Sequence, residues 1–296
     1  MPDVSAALAA APLVLDGGLG TMLESRGHDL SGELWSARVL IDAPDDVRAV
    51  HAAFAAAGAD VLTTGSYQLG YENLAAAGLD VAAADRLLVS GVDLARRGAA
   101  DAGRDVWVAA SVGPYGATRA DGSEYTGDYD LSVAELAAWH RRRLESLAAA
   151  EPDLLAFETI ASPAEAEAVC RAIEGIGIPA WIALSGASTA FDAVTVRDTL
   201  VAVAAAPGVV AVGLNCCPPE AITPAIRELP AAAPFVVYPN SGESWDAGTR
   251  TWRGTPGLPL AELDTWLAAG ARLVGGCCRT TPDDVAAVRQ RLSAQA

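Results

Sequence analysis

Eight short apolar runs recur along this chain, each followed by a stretch that carries helix signals. The runs are Leu13–Leu15, Asp60–Thr64, Val106–Ser111, Asp153–Phe157, Ala180–Leu184, Val209–Leu214, Phe235–Tyr238 and Arg272–Val274. They are rich in Val, Leu, Ile and Ala and lack polar alternation, so they read as strands covered on both faces, as in a parallel sheet. Between them, Asp42-Ala43-Pro44-Asp45-Asp46 puts proline and acids in a first helical turn. Ser132-Val133-Ala134-Glu135 fits a capping box, and Ser162-Pro163-Ala164-Glu165 and Thr281-Pro282-Asp283-Asp284 repeat the pattern. Gly58, Gly78 and Gly270 suit helix ends. Eight strand-then-helix units predict an α/β chain folded as a (β/α)8 barrel, one domain over residues 1–296. The alternative is an open, doubly wound sheet. Asp16-Gly17-Gly18-Leu19-Gly20 follows the first strand, but its spacing is wrong for a dinucleotide-binding turn.

Charge narrows the partners. The net charge is −17, and all 20 basic residues are arginine. That balance argues against nucleic acid and against an anionic membrane surface. It allows a cationic small substrate, although solubility is the plainer reading. The longest apolar stretch, Thr199 to Leu214, is broken by Pro207-Gly208, so no membrane span is expected. The N-terminus has no basic region ahead of its apolar stretch, and five cysteines make a poor disulfide framework. A cytoplasmic chain with reduced thiols is expected, acting as a monomer.

In a barrel, residues just past the strands face the catalytic rim. Here they are Asp16, Thr64 to Ser66, Ser111, Glu158, Ser185, Asn215-Cys216, Asn240 and Cys277-Cys278. Long connections, Gly20 to Asp42 and Tyr115 to Leu131, leave the same rim. Three thiols at the ends of the sixth and eighth strands could meet at one point. Three cysteines can hold a zinc ion and leave its fourth position open. Neighbouring residues of a regular strand point to opposite faces, so Cys277 and Cys278 share an ion only if the chain turns there, and Gly275-Gly276 allows it. The rival readings are small buried hydrophobes and a vicinal disulfide in a non-catalytic zinc or thiol-redox module. Cys170 reads as a packing residue within a helix, and Cys217 as a spare thiol beside the site. His28, His51 and His140 are left out of the metal site. Asp16 and Glu158 are an acid–base pair, ammonium-binding carboxylates, or loop caps paired with arginines such as Arg279. The strands bearing them lie apart around a barrel, which favours ammonium binding for at least one.

At these residues the chain resembles the homocysteine S-methyltransferases, and most closely the bacterial standalone enzymes that use S-methylmethionine. The resemblance covers nearly the whole chain. It is carried by Asp16-Gly17-Gly18, Glu33-Leu34-Trp35-Ser36-Ala37, Thr64-Gly65-Ser66-Tyr67-Gln68 and Ser111-Val112-Gly113-Pro114-Tyr115-Gly116. It continues through Asp121-Gly122-Ser123-Glu124-Tyr125, Glu158-Thr159, Gly213-Leu214-Asn215-Cys216, Tyr238-Pro239-Asn240-Ser241-Gly242-Glu243 and Gly275-Gly276-Cys277-Cys278-Arg279-Thr280. The last of these is the most specific.

The resemblance implies zinc on Cys216, Cys277 and Cys278, with homocysteine near Asp16, Gly17, Thr64 and Glu158; Asn215 joins these as a substrate-binding candidate. It implies methyl transfer from a sulfonium donor to homocysteine, giving methionine. S-methylmethionine is the expected best donor, S-adenosylmethionine a weaker one, and betaine a poor one. Betaine enzymes resemble longer chains with an added C-terminal segment. Glu124 and Asp128, on the Tyr115 to Leu131 loop, are acids that would attract such a donor. One departure stands out. Leu184-Ser185-Gly186-Ala187-Ser188-Thr189 replaces the family's usual Ser-Phe-Thr pattern after the fifth strand, where it would line the donor side of the pocket.

Overall fold

The computed structural model describes residues 3–30, 32, 34, 36–227, 234–246 and 251–294. Glu33 and Trp35, from one of the family segments, lie outside the described residues. Eight strands form the barrel: β1 Leu13–Val14, β2 Val61–Thr63, β3 Trp107–Val112, β4 Leu154–Ile160, β5 Ala180–Ser185, β6 Val209–Asn215, β7 Phe235–Tyr238 and β8 Ala271–Val274. From β2 to β8 each strand pairs in parallel with the next, and β8 pairs with β1. A parallel bridge between Leu15 and Val61 links β1 to β2 and nearly closes the circle. The chain is a (β/α)8 barrel.

The apolar runs divide by parity. Leu13, Leu15, Val61, Trp107, Ala109, Leu154, Ala156, Trp181, Ala183, Ala211, Val236 and Leu273 fill the interior. Val14, Leu62, Val108, Leu155, Ile182, Val212 and Val274 belong instead to the layer beneath the helices. This two-faced burial is why the runs show no polar alternation. The helix Val4–Ala10, not expected from the sequence, adds Val4 and Leu8 to the interior cluster.

Two elements differ from expectation in ways that matter for the site. First, β4 runs on to Ile160, with a register shift between Phe157 and Ile160 and a left-handed Thr159 at φ 60°. Glu158 therefore sits inside a bulged strand end instead of in the loop beyond it. Second, only half of the expected capping box forms at Ser162. Its hydroxyl accepts the Glu165 N–H at 3.3 Å, but the Glu165 carboxylate turns away to other partners. The boxes at Ser132 and Thr281 form completely. The connection from Gly20 to Asp42 carries two helices, Leu19–Ser25 and Ser36–Asp42, and the one from Tyr115 to Leu131 carries two 3-10 turns, Tyr115–Thr118 and Ser123–Tyr125. A short antiparallel hairpin, Ser244–Asp246 with Thr251–Arg253, follows β7.

Candidate active site

Cys216 follows β6 in the left-handed region, at φ 48°. A branched or bulky side chain is costly there, and the turn swings the thiol toward the barrel mouth. Cys277 and Cys278 follow β8. Their backbone is gripped by the segment after β7: the Cys277 N–H donates to Pro239 O at 2.7 Å, and the Cys278 N–H to Asn240 Oδ1 at 3.2 Å. Gly275 and Gly276 serve close approach rather than a left-handed turn. A Cβ on Gly275 would lie 2.7 Å from Leu15 Cβ, and one on Gly276 would lie 2.1 Å from Thr280 Oγ1. The left-handed residue of this segment is Arg279, at φ 65°.

The three Sγ atoms lie within 4.8 Å of one another, with 4.0 Å between Cys277 and Cys278. Sulfurs on a tetrahedral zinc, with Zn–S bonds of about 2.3 Å, stand about 3.8 Å apart. The cluster is thus slightly wider than a zinc site. Hydrogen bonds from Cys277 and Cys278 hold the Cys216 thiol well below its ordinary range, and the same contacts raise those of its two partners. One buried and two half-buried thiols brought this close suit a soft divalent cation. Tyr125 OH stands 3.8 Å from Cys216 Sγ.

Two carboxylates share the mouth with the thiols, Asp16 just past the strand next to β8. Asp16 is buried and accepts the Thr63 N–H at 2.7 Å; burial, against that bond, pushes its carboxyl up to about 8. Glu158 is half-buried and accepts from the Ser111 hydroxyl and from Tyr238 OH; desolvation lifts it to about 7 despite those bonds. Neither is paired with Arg279, whose guanidinium binds Glu243 at 2.9 Å. Thr64 is buried beside them, its hydroxyl bonded to Ser66 Oγ at 2.7 Å and accepting the Ser111 N–H at 3.0 Å. Gly17 lets β1's exit pass Thr280, since a Cβ there would lie 2.6 Å from Thr280 O. The Asn215 side chain is engaged with Thr159, accepting its N–H at 2.7 Å and donating to its hydroxyl at 2.9 Å. It thereby fixes the strained residue next to Glu158.

The family model for Homocysteine S-methyltransferase matches residues 13–292. The chain belongs to the homocysteine S-methyltransferase family. It is 44% identical to the Homocysteine S-methyltransferase of Escherichia coli K12, over 94% of each chain. It is 40% identical to Homocysteine S-methyltransferase YbgG of Bacillus subtilis 168, over 92% of each chain. The metallated crystal form of the E. coli homocysteine methyltransferase MmuM superposes with a TM-score of 0.83 at 40% identity, covering 96% of this chain and 98% of that one. The protein is an enzyme, a homocysteine S-methyltransferase.

Several residues of this methyltransferase were not assigned roles from its sequence. Tyr67, Tyr125 and Tyr238 are raised well above the ordinary phenol range: burial leads for Tyr67 and Tyr238, and the Cys216 thiolate for Tyr125. Behind the loop that carries Tyr125 lies a buried polar knot. Glu165 Oε1 accepts the Tyr115 N–H at 2.6 Å and faces His140 Nε2 at 3.1 Å. Arg143 donates to Gly113 O at 2.6 Å and to Leu69 O at 3.1 Å, with its guanidinium 4.3 Å from the Trp139 ring centre. His140 is thus a packing residue, as expected of a helical histidine, but one with a specific partner. Cys217 is buried in the outer core with its thiol pushed up by desolvation; Cys170 is half-buried, its thiol pushed up to about 11.

The atypical segment after β5 borders a cavity of its own. Ser185, Gly186 and Ser188 help line a cavity of about 250 Å³ with Phe191, Val196 and Leu214, and none of the three clustered cysteines lines it. The segment is tied to the Tyr115–Leu131 loop where the Thr189 N–H donates to Tyr125 O at 3.0 Å.

Proposed function

We propose that this homocysteine S-methyltransferase is a zinc enzyme, the whole chain acting as one barrel, and that it takes its methyl group from S-methylmethionine or, more weakly, S-adenosylmethionine. The observation that carries this reading is the gathering of Cys216, Cys277 and Cys278 within 4.8 Å at the mouth of the barrel. Zinc held by these residues would supply a deprotonated, fixed homocysteine sulfur at neutral pH, where a free thiol with a pKa near 8.5 is mostly protonated.

The remaining work falls to the chain. Asp16 and Glu158 bind the homocysteine ammonium, which brings their raised carboxyls back to the charged form. Thr64 and the Gly17 backbone border the same pocket. Asn215 acts by holding Thr159, and so Glu158, in place. The methyl group leaves the sulfonium sulfur of the donor and forms a new bond to the homocysteine sulfur. A positive and a negative charge cancel as it moves, so a dry pocket favours the transition state. The Tyr115–Leu131 loop, with Tyr125 over Cys216, excludes water. With S-methylmethionine the products are two methionines. Because the ligand thiols must stay reduced, a cytoplasmic location follows. We take the working form as a monomer.

The test is a donor panel on the zinc-loaded enzyme with homocysteine as acceptor. Methionine should form fastest with S-methylmethionine, more slowly with S-adenosylmethionine and hardly at all with betaine. A highest kcat/KM on betaine would overturn the donor assignment.

A further inference from the structure

The loop after β3 carries four acids, Asp121, Glu124, Asp128 and Asp130, and their surroundings differ; Asp130 is exposed. Asp128 is exposed. Glu124 is half-buried, and its Oε2 is buried without a hydrogen-bond partner among the described residues. The loop's own cation is already taken, since Arg119 pairs with Asp121 at 3.0 Å.

Glu124 is also held in place. A Cβ on Gly116 would lie 2.4 Å from Glu124 N, so the two turns of the loop are stacked backbone on backbone. Gly127, at φ 63°, abuts Ala161 O, where a Cβ would lie 2.7 Å away. The next residue, Tyr125, is fixed by Thr189 N–H at its carbonyl and lies beside Cys216 Sγ at its hydroxyl. A desolvated carboxylate oxygen without a donor is costly, and a cationic ligand offsets that cost. Glu124 directly precedes Tyr125, whose hydroxyl stands 3.8 Å from Cys216 Sγ, so such a ligand would enter on the same side of the mouth as the reacting sulfur.

The geometry points to Glu124 as the residue that selects the donor, by binding the α-ammonium group of an amino-acid sulfonium. This rests on the sulfonium-donor reading above. The choice of ammonium over sulfonium follows from charge. The sulfonium loses its charge in the transition state, so a carboxylate on it would stabilise the ground state and slow transfer. The ammonium keeps its charge throughout. A carboxylate there binds ground and transition states equally and sets KM alone. The homocysteine ammonium is already matched by Asp16 and Glu158, which leaves Glu124 for the second amino acid.

The experiment compares the zinc-loaded parent enzyme with Glu124→Gln on two donors. One is S-methylmethionine. The other is dimethylsulfoniopropionate, a sulfonium with a carboxylate and no amino group, followed as substrate or as competitive inhibitor. The expected result is a rise of about ten- to hundredfold in the KM for S-methylmethionine, the range of a lost charge-assisted hydrogen bond, with kcat within twofold. Zinc content and the homocysteine KM should hold, which reports an intact site. The KM or inhibition constant of dimethylsulfoniopropionate should be the same in both proteins. An unchanged S-methylmethionine KM, equal losses on the two donors, or a rise in kcat would overturn the assignment. A parent enzyme that uses no sulfonium donor would instead overturn the donor reading itself.

Discussion

The two sides of the barrel mouth are built by different means. At the thiol corner the backbone does the placing. A left-handed Cys216 and two glycines with no room for a Cβ force three sulfurs together, with the segment after β7 bonded to their peptide groups. Every constraint there lies within a few residues of a ligand or on a neighbouring strand. The loop after β3, which brings Tyr125 to 3.8 Å from Cys216 Sγ, is placed instead by side chains. Glu165, His140 and Arg143 come from two outer helices; they grip the loop at Gly113 and Tyr115 and tie it to Leu69 on the connection after β2. A corner fixed by backbone can hold an ion without further support. A loop fixed by a buried polar knot depends on every member of it, because one removed partner leaves another desolvated.

The largest expected effect falls on the thiol corner. Cys216→Ser, Cys277→Ser and Cys278→Ser should each lose zinc and nearly all methyl transfer, read by metal analysis and methionine formation. Cys217→Ser and Cys170→Ser should retain both. Full zinc retention in Cys277→Ser would break the account of this corner. Next comes the knot. Glu165→Ala should lower stability by about 3–5 kcal/mol, the usual cost of removing one partner from a buried charged cluster, as measured by denaturant unfolding. Its zinc content, measured on folded protein, should stay near that of the parent, since the knot and the thiols are separately built. A joint loss of zinc and stability would erase the distinction between the two sides.

The two carboxylates should give smaller effects, mainly kinetic ones. Glu158→Ala is expected to raise the homocysteine KM by about one to two decades without removing zinc, in line with a lost charge-assisted bond of about 1.5–3 kcal/mol. An unchanged KM would shift the ammonium contact to Asp16. The pH profile is the mildest test. Burial lifts Glu158 to about 7 and Asp16 to about 8, so both hold protons in the free enzyme at acidic pH. The homocysteine KM should therefore fall as pH rises through these values, because only the ionised forms pair with an ammonium group. Stability runs the other way. The unfolded chain releases these protons near pH 4 and the folded one only at pH 7–8, so their contribution to stability declines across that window.

The same contrast explains how far the sequence could be read. The eight runs and the thiol corner are local features: apolar on both faces, or a Gly-Gly-Cys-Cys segment directly after a strand. Asp16 and Glu158 were legible as strand ends, although the bulge that sets Glu158 inside β4 was not, since it depends on Asn215 bonding Thr159 across two strands. By its spacing from Ser162, Glu165 fits half of a capping box. Its carboxylate went to Tyr115, 50 positions away. Arg143 likewise reaches Leu69 over 74 positions. Pairings of that range leave no periodic trace, and Tyr67 and Tyr125 sit on the two loops those pairings hold.

The central claim is that three sulfurs from this chain hold one zinc and leave a position for the substrate thiol. X-ray absorption at the zinc edge, with and without homocysteine, tests it most directly. The account predicts three protein sulfurs at about 2.3 Å in the free enzyme and four sulfurs once homocysteine is bound. A sulfur count that homocysteine leaves unchanged, or a shell dominated by nitrogen and oxygen, would contradict it.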